Sequence, residues 1–303
     1  MPAHRKATEN LRGITAMLSA VCMFAFMDAS MKRLSQNYGP FELSCLRCAS
    51  SLVFMTIPIA WAGSWRSLRP ANPLLHLVRA LLGIVMLSAF VYAVHRLSMA
   101  ETYSLFLCAP LVMTALSVPL LGERVPLRRW LTIGVGLCGV LVMLRPGSDG
   151  LVSIAAAAAA TSACCYALSA VTVRTLGRTN SSAAMVVWFL LLVGIGAGVL
   201  AVPEWRRVAS GDWVWLGAVG ISGALGQYWV TDAFRRAPPS VVAPFEYSSI
   251  LWAFGIDWVF WSVFPSAIVV TGATIVIACG LFIIWDERRM ATLAETAAAS
   301  PPP

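Results

Sequence analysis

The chain has 303 residues, of which 59% are apolar and 12% charged, with a formal net charge of +8. A soluble domain carries about 25% charged residues, and the polar groups here are too few to clothe a globule of this size, so a soluble enzyme is excluded. The 22 basic and 14 acidic residues leave nine charge-free stretches of 15 residues or more, at 13–27, 48–65, 80–95, 102–122, 130–144, 150–173, 179–203, 213–231 and 258–285.

With its flanks, each stretch supplies the roughly 20 apolar residues that a bilayer core about 30 Å thick requires. A tenth span over 237–264 holds two acids, Glu246 and Asp257, within an apolar run. The expected fold class is therefore an all-α integral membrane protein with ten transmembrane helices. Arg5, Lys6 and Arg12 precede the first apolar run, which is too long for a secretory signal and is read as an uncleaved first helix. Residues 1–12 are expected to form a cytoplasmic tail. Asp28 stands four residues before Lys32, a spacing that suits a local ion pair.

The second helix opens with Glu42 in its first turn, where the helix dipole favours an acid; Glu101 has the same place in the fourth. Arg47 lies a third of the way along the second helix, where it can snorkel, pair with an acid or meet a substrate carboxylate. Pro110 and Pro119 follow as candidate bend points. Small-residue runs at 155–163, at Gly194, Gly196 and Gly198, and at Gly217, Gly220 and Gly223 let helix backbones approach closely or slide past one another.

On the eighth helix Gln227 and Thr231 share one side, as do Tyr228 and Asp232. Asp232 suits a pair with Arg235 or Arg236, leaving Gln227 and Tyr228 to line a pathway. In a continuous ninth helix Glu246 and Asp257, 257 − 246 = 11 positions apart, are turned by about 1100° and share a face with Ser249, Ile250 and Ala253. Glu246 is expected to bind a substrate ammonium, carry a proton, or hydrogen-bond a neighbouring Ser or Tyr; Asp257, nearer the outer end, is expected to be hydrated. Pro244 frees a carbonyl just before Glu246, and broken helices are where transport sites form. Mid-span aromatics Tyr92, Trp188 and Trp252 can wall a cavity, whereas most other Trp and Tyr suit interfacial belts. Residues 286–303 end Ser-Pro-Pro-Pro and are expected to be a disordered cytoplasmic tail.

The basic residues carry a second message. With the amino terminus inside, fifteen of them, Arg79 among these, fall on the inner side and six (Lys32, Arg33, Arg96, Arg145, Arg206 and Arg207) on the outer, which places both termini in the cytoplasm of a bacterial-type inner membrane. The positive charge thus reports topology rather than a nucleic-acid partner. All eight cysteines fall within spans as packing groups. Landmarks recur at an offset near 140: His95-Arg96 with Arg235-Arg236, Pro126 with Pro265, Gly139 with Gly280. An odd number of helices per repeat inverts the second copy, and inverted repeats with a midplane site characterise secondary transporters. The expected organisation is two inverted five-helix repeats, 13–146 and 147–285.

Pro40-x-Glu42-Leu43-x-x-x-Arg47, Pro110 followed by Leu121-Gly122-Glu123, and Gly139-Val140 resemble the EamA type of the drug/metabolite transporter superfamily, with the YddG-type aromatic amino-acid exporters as the branch most like it. The likeness covers roughly 11–285. It departs where the family often has Glu-Pro in the fourth helix of each repeat: here stand Ala109-Pro110 and Glu246-Tyr247. The resemblance implies metabolite export through a cavity between the repeats, most plausibly of aromatic or apolar amino acids, with other amphiphilic metabolites or drugs as the alternative. The candidate pathway residues are Glu246, Tyr247, Ser249, Gln227, Tyr228, Arg47, Tyr92, Trp188 and Trp252, with Pro110, Pro119 and Pro244 as hinges. The substrate and the bilayer are the expected partners, and either a monomer or a homodimer is compatible with the sequence.

Other classes fare worse. Gly220-Ile221-Ser222-Gly223 resembles the rhomboid protease motif, but a serine nucleophile needs a nearby histidine base, and the spanning histidines are His76 and His95 at opposite ends of the third helix. No metal-ligand set, phosphate-cradling loop or Walker-type lysine is present, so no metal or cofactor is expected. A helical channel remains as the other non-transporter class.

Overall fold

The computed structural model describes residues 2–61, 68–109, 111–113, 115–116, 127–144, 153–177, 179–237, 242 and 245–299. Among these there is no strand. The α-helices are α1 (Pro2–Leu34), α2 (Pro40–Trp61), α3 (Pro73–Arg96), α4 (Met99–Phe106), α5 (Leu127–Leu144), α6 (Ile154–Leu176), α7 (Ser182–Ala201), α8 (Trp213–Arg236), α9 (Ser249–Trp261) and α10 (Ala267–Ala299). Five segments among the described residues are long and apolar enough to cross a membrane: Leu11–Leu34, Pro40–Trp61, Pro73–Arg96, Ile154–Val173 and Ser182–Glu204. Their outward faces carry exposed large apolar side chains such as Val53, Leu81, Ile195 and Val199, the pattern of a surface solvated by lipid.

Local chemistry sets the helix starts. Asn72 caps α3 by accepting the Leu75 N–H, with Pro73 in the first turn, where a missing N–H costs nothing. Ser98 and Glu101 close a capping box on α4, the structural role expected for Glu101. Glu42 likewise stays structural, accepting the Arg206 N–H at 3.0 Å. Asp232 pairs with Arg235 and Arg236 at the end of α8.

Helix pairing has a simple order. α1 packs on α8 and α3 on α6; α2 packs on α8 and α3 on α7; α2 meets α3 and α7 meets α8; α4 meets α6 and α1 meets α9. Exchanging each helix with the fifth after it turns the first member of each of these pairings into the second. The pairs α2–α7, α4–α9 and α5–α10 map onto themselves. Small residues make the close approaches: Gly194 and Gly198 face Cys48 and Cys45, and Gly139 faces Ile275. This is the packing role expected of these cysteines.

Several expectations are corrected. The ninth span is not one continuous helix: Tyr247 and Ser248 form a turn before α9, closed by the Ser248 N–H on the Phe245 carbonyl at 3.2 Å. The 100° arithmetic therefore does not carry from Glu246 to Asp257. A matching break, Leu107–Cys108, follows α4, with the Cys108 N–H on the Leu105 carbonyl at 3.2 Å. The helix α10 runs to Ala299 instead of fraying after Trp285. Asp286, expected in a solvated tail, is fully buried and pairs with Arg128 at 2.9 Å. Pro110, Pro119 and Pro244 lie outside the described residues.

Gly280 of α10 is the position where a side chain is least tolerable, because a Cβ there would overlap the Tyr247 hydroxyl and ring. Tyr247 is buried in the cluster of α4, α9 and α10, so it has nowhere to retreat. Gly280→Ala is expected to cost about 1–3 kcal/mol through overpacking, read as earlier thermal unfolding in detergent. Wild-type unfolding would show that Tyr247 is not wedged as described.

Candidate functional site

The helices line a central cavity of about 1100 Å³, a volume that includes open solvent. Its wall is mostly apolar: Met17, Phe24, Met27 and Met31 from α1, Met86 and Phe90 from α3, Phe106 from α4, Phe189 from α7 and Phe234 from α8. Methionine and aromatic side chains adapt to varied shapes. Into this wall project two carboxylates and two guanidinium groups: Asp28, Glu246, Arg47 and Arg79.

Both acids are held by tyrosines. Tyr103 on α4 donates its hydroxyl to Asp28 Oδ2 at 2.5 Å, and Tyr166 on α6 donates to Glu246 Oε1 at 3.1 Å. The arginines make no ion pair among the described residues. Arg47, 3% exposed, turns Nε to Met27 Sδ at 3.1 Å. Arg79, 2% exposed, donates from Nη1 to the Met185 carbonyl at 2.9 Å and lies 4.7 Å from the centre of the Phe189 ring. Arg47 Nη1 and Arg79 Nε find no partner among the described residues. Ionised groups at membrane depth are costly unless paired or hydrated, and unsatisfied buried donors mark places where a ligand or water belongs. The cavity therefore offers both signs of charge to its contents.

Of the expected pathway residues, Glu246, Ser249, Gln227 and Arg47 line the cavity, and Thr231 joins them. The others do not. Tyr247 packs beside Gly280, and Tyr228 joins the α2–α3–α7 cluster. Tyr92 lies under the Arg96 guanidinium. Trp188 donates its indole N–H to the Leu68 carbonyl at 2.7 Å, and its ring lies tilted beside that of His76, 6.3 Å between centroids. Trp252 is exposed against Phe26. Mid-span depth was their shared signal, and depth does not fix which way a helix turns a side chain.

Four further residues line the cavity that the sequence does not single out as lining: Asp28, Arg79, Tyr103 and Tyr166. The positive-inside pattern marks Arg79 as a sign of membrane side, although it stands six residues into an apolar helix. The spacing of Asp28 suits Lys32, yet Lys32 Nζ reaches Asp257 Oδ1 at 3.1 Å and lies 4.6 Å from the Trp261 ring centre. Asp257 is fully buried rather than hydrated, and its Oδ2 accepts the Ala100 N–H at 2.7 Å. This latch ties α1, α4 and α9 together beyond Asp28 and Tyr103. Ser222, the serine of the protease-like motif, donates back to the Ala218 carbonyl within its own helix.

Residues 11–145 match the sequence profile of the EamA-like transporter family. The chain is similar to the pseudopaline exporter of Pseudomonas aeruginosa, 29% identical over 269 residues that cover 88% of this chain and 94% of that one. It is 26% identical to the riboflavin transporter of Vibrio cholerae over 287 residues, 92% of this chain and 95% of that one. It is 23% identical to the S-adenosylmethionine uptake transporter of Rickettsia prowazekii over 284 residues, 92% and 94%. A solved crystal structure shares the fold, with a TM-score of 0.65 at 18% identity over 91% of this chain and 96% of that chain.

Proposed function

From the premise that the chain belongs to the EamA-like transporter family, and is thus a small-molecule membrane transporter rather than an enzyme, we propose that it exports amino acids with aromatic or apolar side chains. The observation that carries this reading is the cavity itself, where Phe and Met walls surround two carboxylates and two arginines without direct ion pairs. Such a site suits a solute with an ammonium, a carboxylate and an apolar body. Of the relatives named above, one is named as an exporter and one for uptake, so the direction rests on the first of them.

Alternating access is the proposed mode. The exchange pattern of helix pairs and the matching breaks at Leu107–Cys108 and Tyr247–Ser248 support two inverted repeats, 13–146 and 147–285, that rock about the cavity. The distribution of Lys and Arg supports an inner-membrane protein with both termini cytoplasmic.

Protein reconstituted in liposomes should move labelled phenylalanine, leucine and related amino acids with saturable kinetics. No flux across a broad amino-acid panel, with flux of larger amphiphilic metabolites or drugs instead, would shift the substrate class to the alternative. Non-saturating conductance would point to a channel.

A further inference from the structure

Two clusters of the same make-up line the cavity. In one, Asp28 on α1 is held by Tyr103 on α4, and Arg47 on α2 turns its Nε to Met27, the chain neighbour of Asp28. In the other, Glu246 ahead of α9 is held by Tyr166 on α6, and Arg79 lines the same cavity from α3. Exchanging each helix with the fifth after it carries the α1–α4 pair onto α6–α9, so acid and tyrosine trade places between the clusters. Arg79 reaches the second cluster from α3 by lying across Phe189 and the Met185 carbonyl of α7.

The two arginines stand at different levels. The Ser44 and Ser88 hydroxyls, 3.4 Å apart, fix the register of antiparallel α2 and α3. Arg47 is three residues past Ser44 and Arg79 nine before Ser88, which at 1.5 Å per residue separates their backbones by about 9 Å along the helix axes. A row of rings joins the clusters: Tyr103 to Phe90 at 5.9 Å, Phe90 to Phe106 at 5.7 Å, and Phe106 to Tyr166 at 5.1 Å between centroids. In each cluster the acid is satisfied by a neutral donor, while a nearby buried guanidinium keeps an N–H without a partner among the described residues. Opposite charges that face one cavity without pairing are arranged for a third body that carries both signs.

We infer that the cavity holds two seats for an α-amino-acid head group, Asp28–Tyr103–Arg47 and Glu246–Tyr166–Arg79, with the ammonium on the carboxylate and the carboxylate on the guanidinium in each. The inference rests on the amino-acid reading above. The aromatic row between the seats keeps the side chain covered while the head passes from one seat to the other, which accounts for a preference for aromatic and apolar side chains.

The test is equilibrium binding of L-phenylalanine to the full chain in nanodiscs, paired with efflux from liposomes. Two molecules should bind per chain. Arg47→Met and Arg79→Met should each leave one site and slow transport by about tenfold or more, whereas the double variant should bind none. Phenethylamine, which lacks the carboxylate, should bind every variant, so a misfolded protein is recognised by losing it. Arg47→Lys and Arg79→Lys should restore the second site in part. One phenylalanine per wild-type chain, or loss of both sites from either single arginine variant that still binds phenethylamine, overturns the two seats alone. A wild type that neither binds nor moves any amino acid overturns the amino-acid reading and the seats with it.

Discussion

Asp257→Ala is expected to destabilise the protein by about 3–5 kcal/mol, the usual result of removing one partner from a buried ion pair. Lys32 would be left with 12% side-chain exposure and no carboxylate, and the Ala100 N–H would lose its acceptor. The Trp261 ring beneath Lys32 offsets only part of that loss, because a cation–π contact is worth about 0.5–2 kcal/mol. Lys32→Met/Asp257→Ala should recover most of the stability, since an apolar pair leaves no stranded charge. Both are read from thermal unfolding in detergent. A single variant as stable as wild type, or a double variant worse than the sum of the singles, would show that the pair is not buried as described.

The position of this latch matters more than its energy. α1 supplies Lys32 to the latch and, one turn earlier, Asp28 to the cavity. α4 supplies the Ala100 N–H to the latch and, three residues on, Tyr103 to Asp28. α9 supplies Asp257, while Glu246 stands just before its break. The same three helices thus carry both the latch and cavity-lining side chains, Asp28 on α1, Tyr103 on α4 and Ser249 on α9.

The helical class was legible because charge is expelled from lipid, and the positions of 36 charged residues among 303 mark the spans. Glu246 was legible for the same reason: an acid in an apolar run has few structural uses. Asp28 obeyed the same rule but was masked by Lys32 four residues on, a pairing worth about 0.2–0.5 kcal/mol on a helix surface and outcompeted by a buried tertiary partner. Tyr103 and Tyr166 carry no charge and leave no mark in an apolar run. The aromatic candidates failed for a different reason, since the direction in which Trp188 or Trp252 points depends on which neighbour each helix meets. The break at Leu107–Cys108 was foreshadowed by Pro110, which has no N–H for the carbonyl of Phe106 four residues back, whereas the break at Tyr247–Ser248 has Pro244 only ahead of it.

Glu246→Gln should lower amino-acid efflux by about tenfold or more, comparable to losing one charge-assisted hydrogen bond of about 1.5–3 kcal/mol. The substitution separates the two roles open to this residue. Glutamine keeps the size of the side chain, and its carbonyl oxygen can still accept the Tyr166 hydroxyl, so a purely structural Glu246 would leave transport intact. What disappears is the negative charge, and with it either the partner of a substrate ammonium or the carrier of a proton. Two assays divide these. If Glu246 binds the ammonium, the variant should lose both equilibrium exchange and net accumulation, and its affinity for phenethylamine should fall while its affinity for phenylpropionate is spared. If Glu246 carries the proton, exchange should survive and only accumulation driven by a pH gradient should vanish. Wild-type efflux from Glu246→Gln would remove this carboxylate from the transport site and leave it as a helix-packing contact.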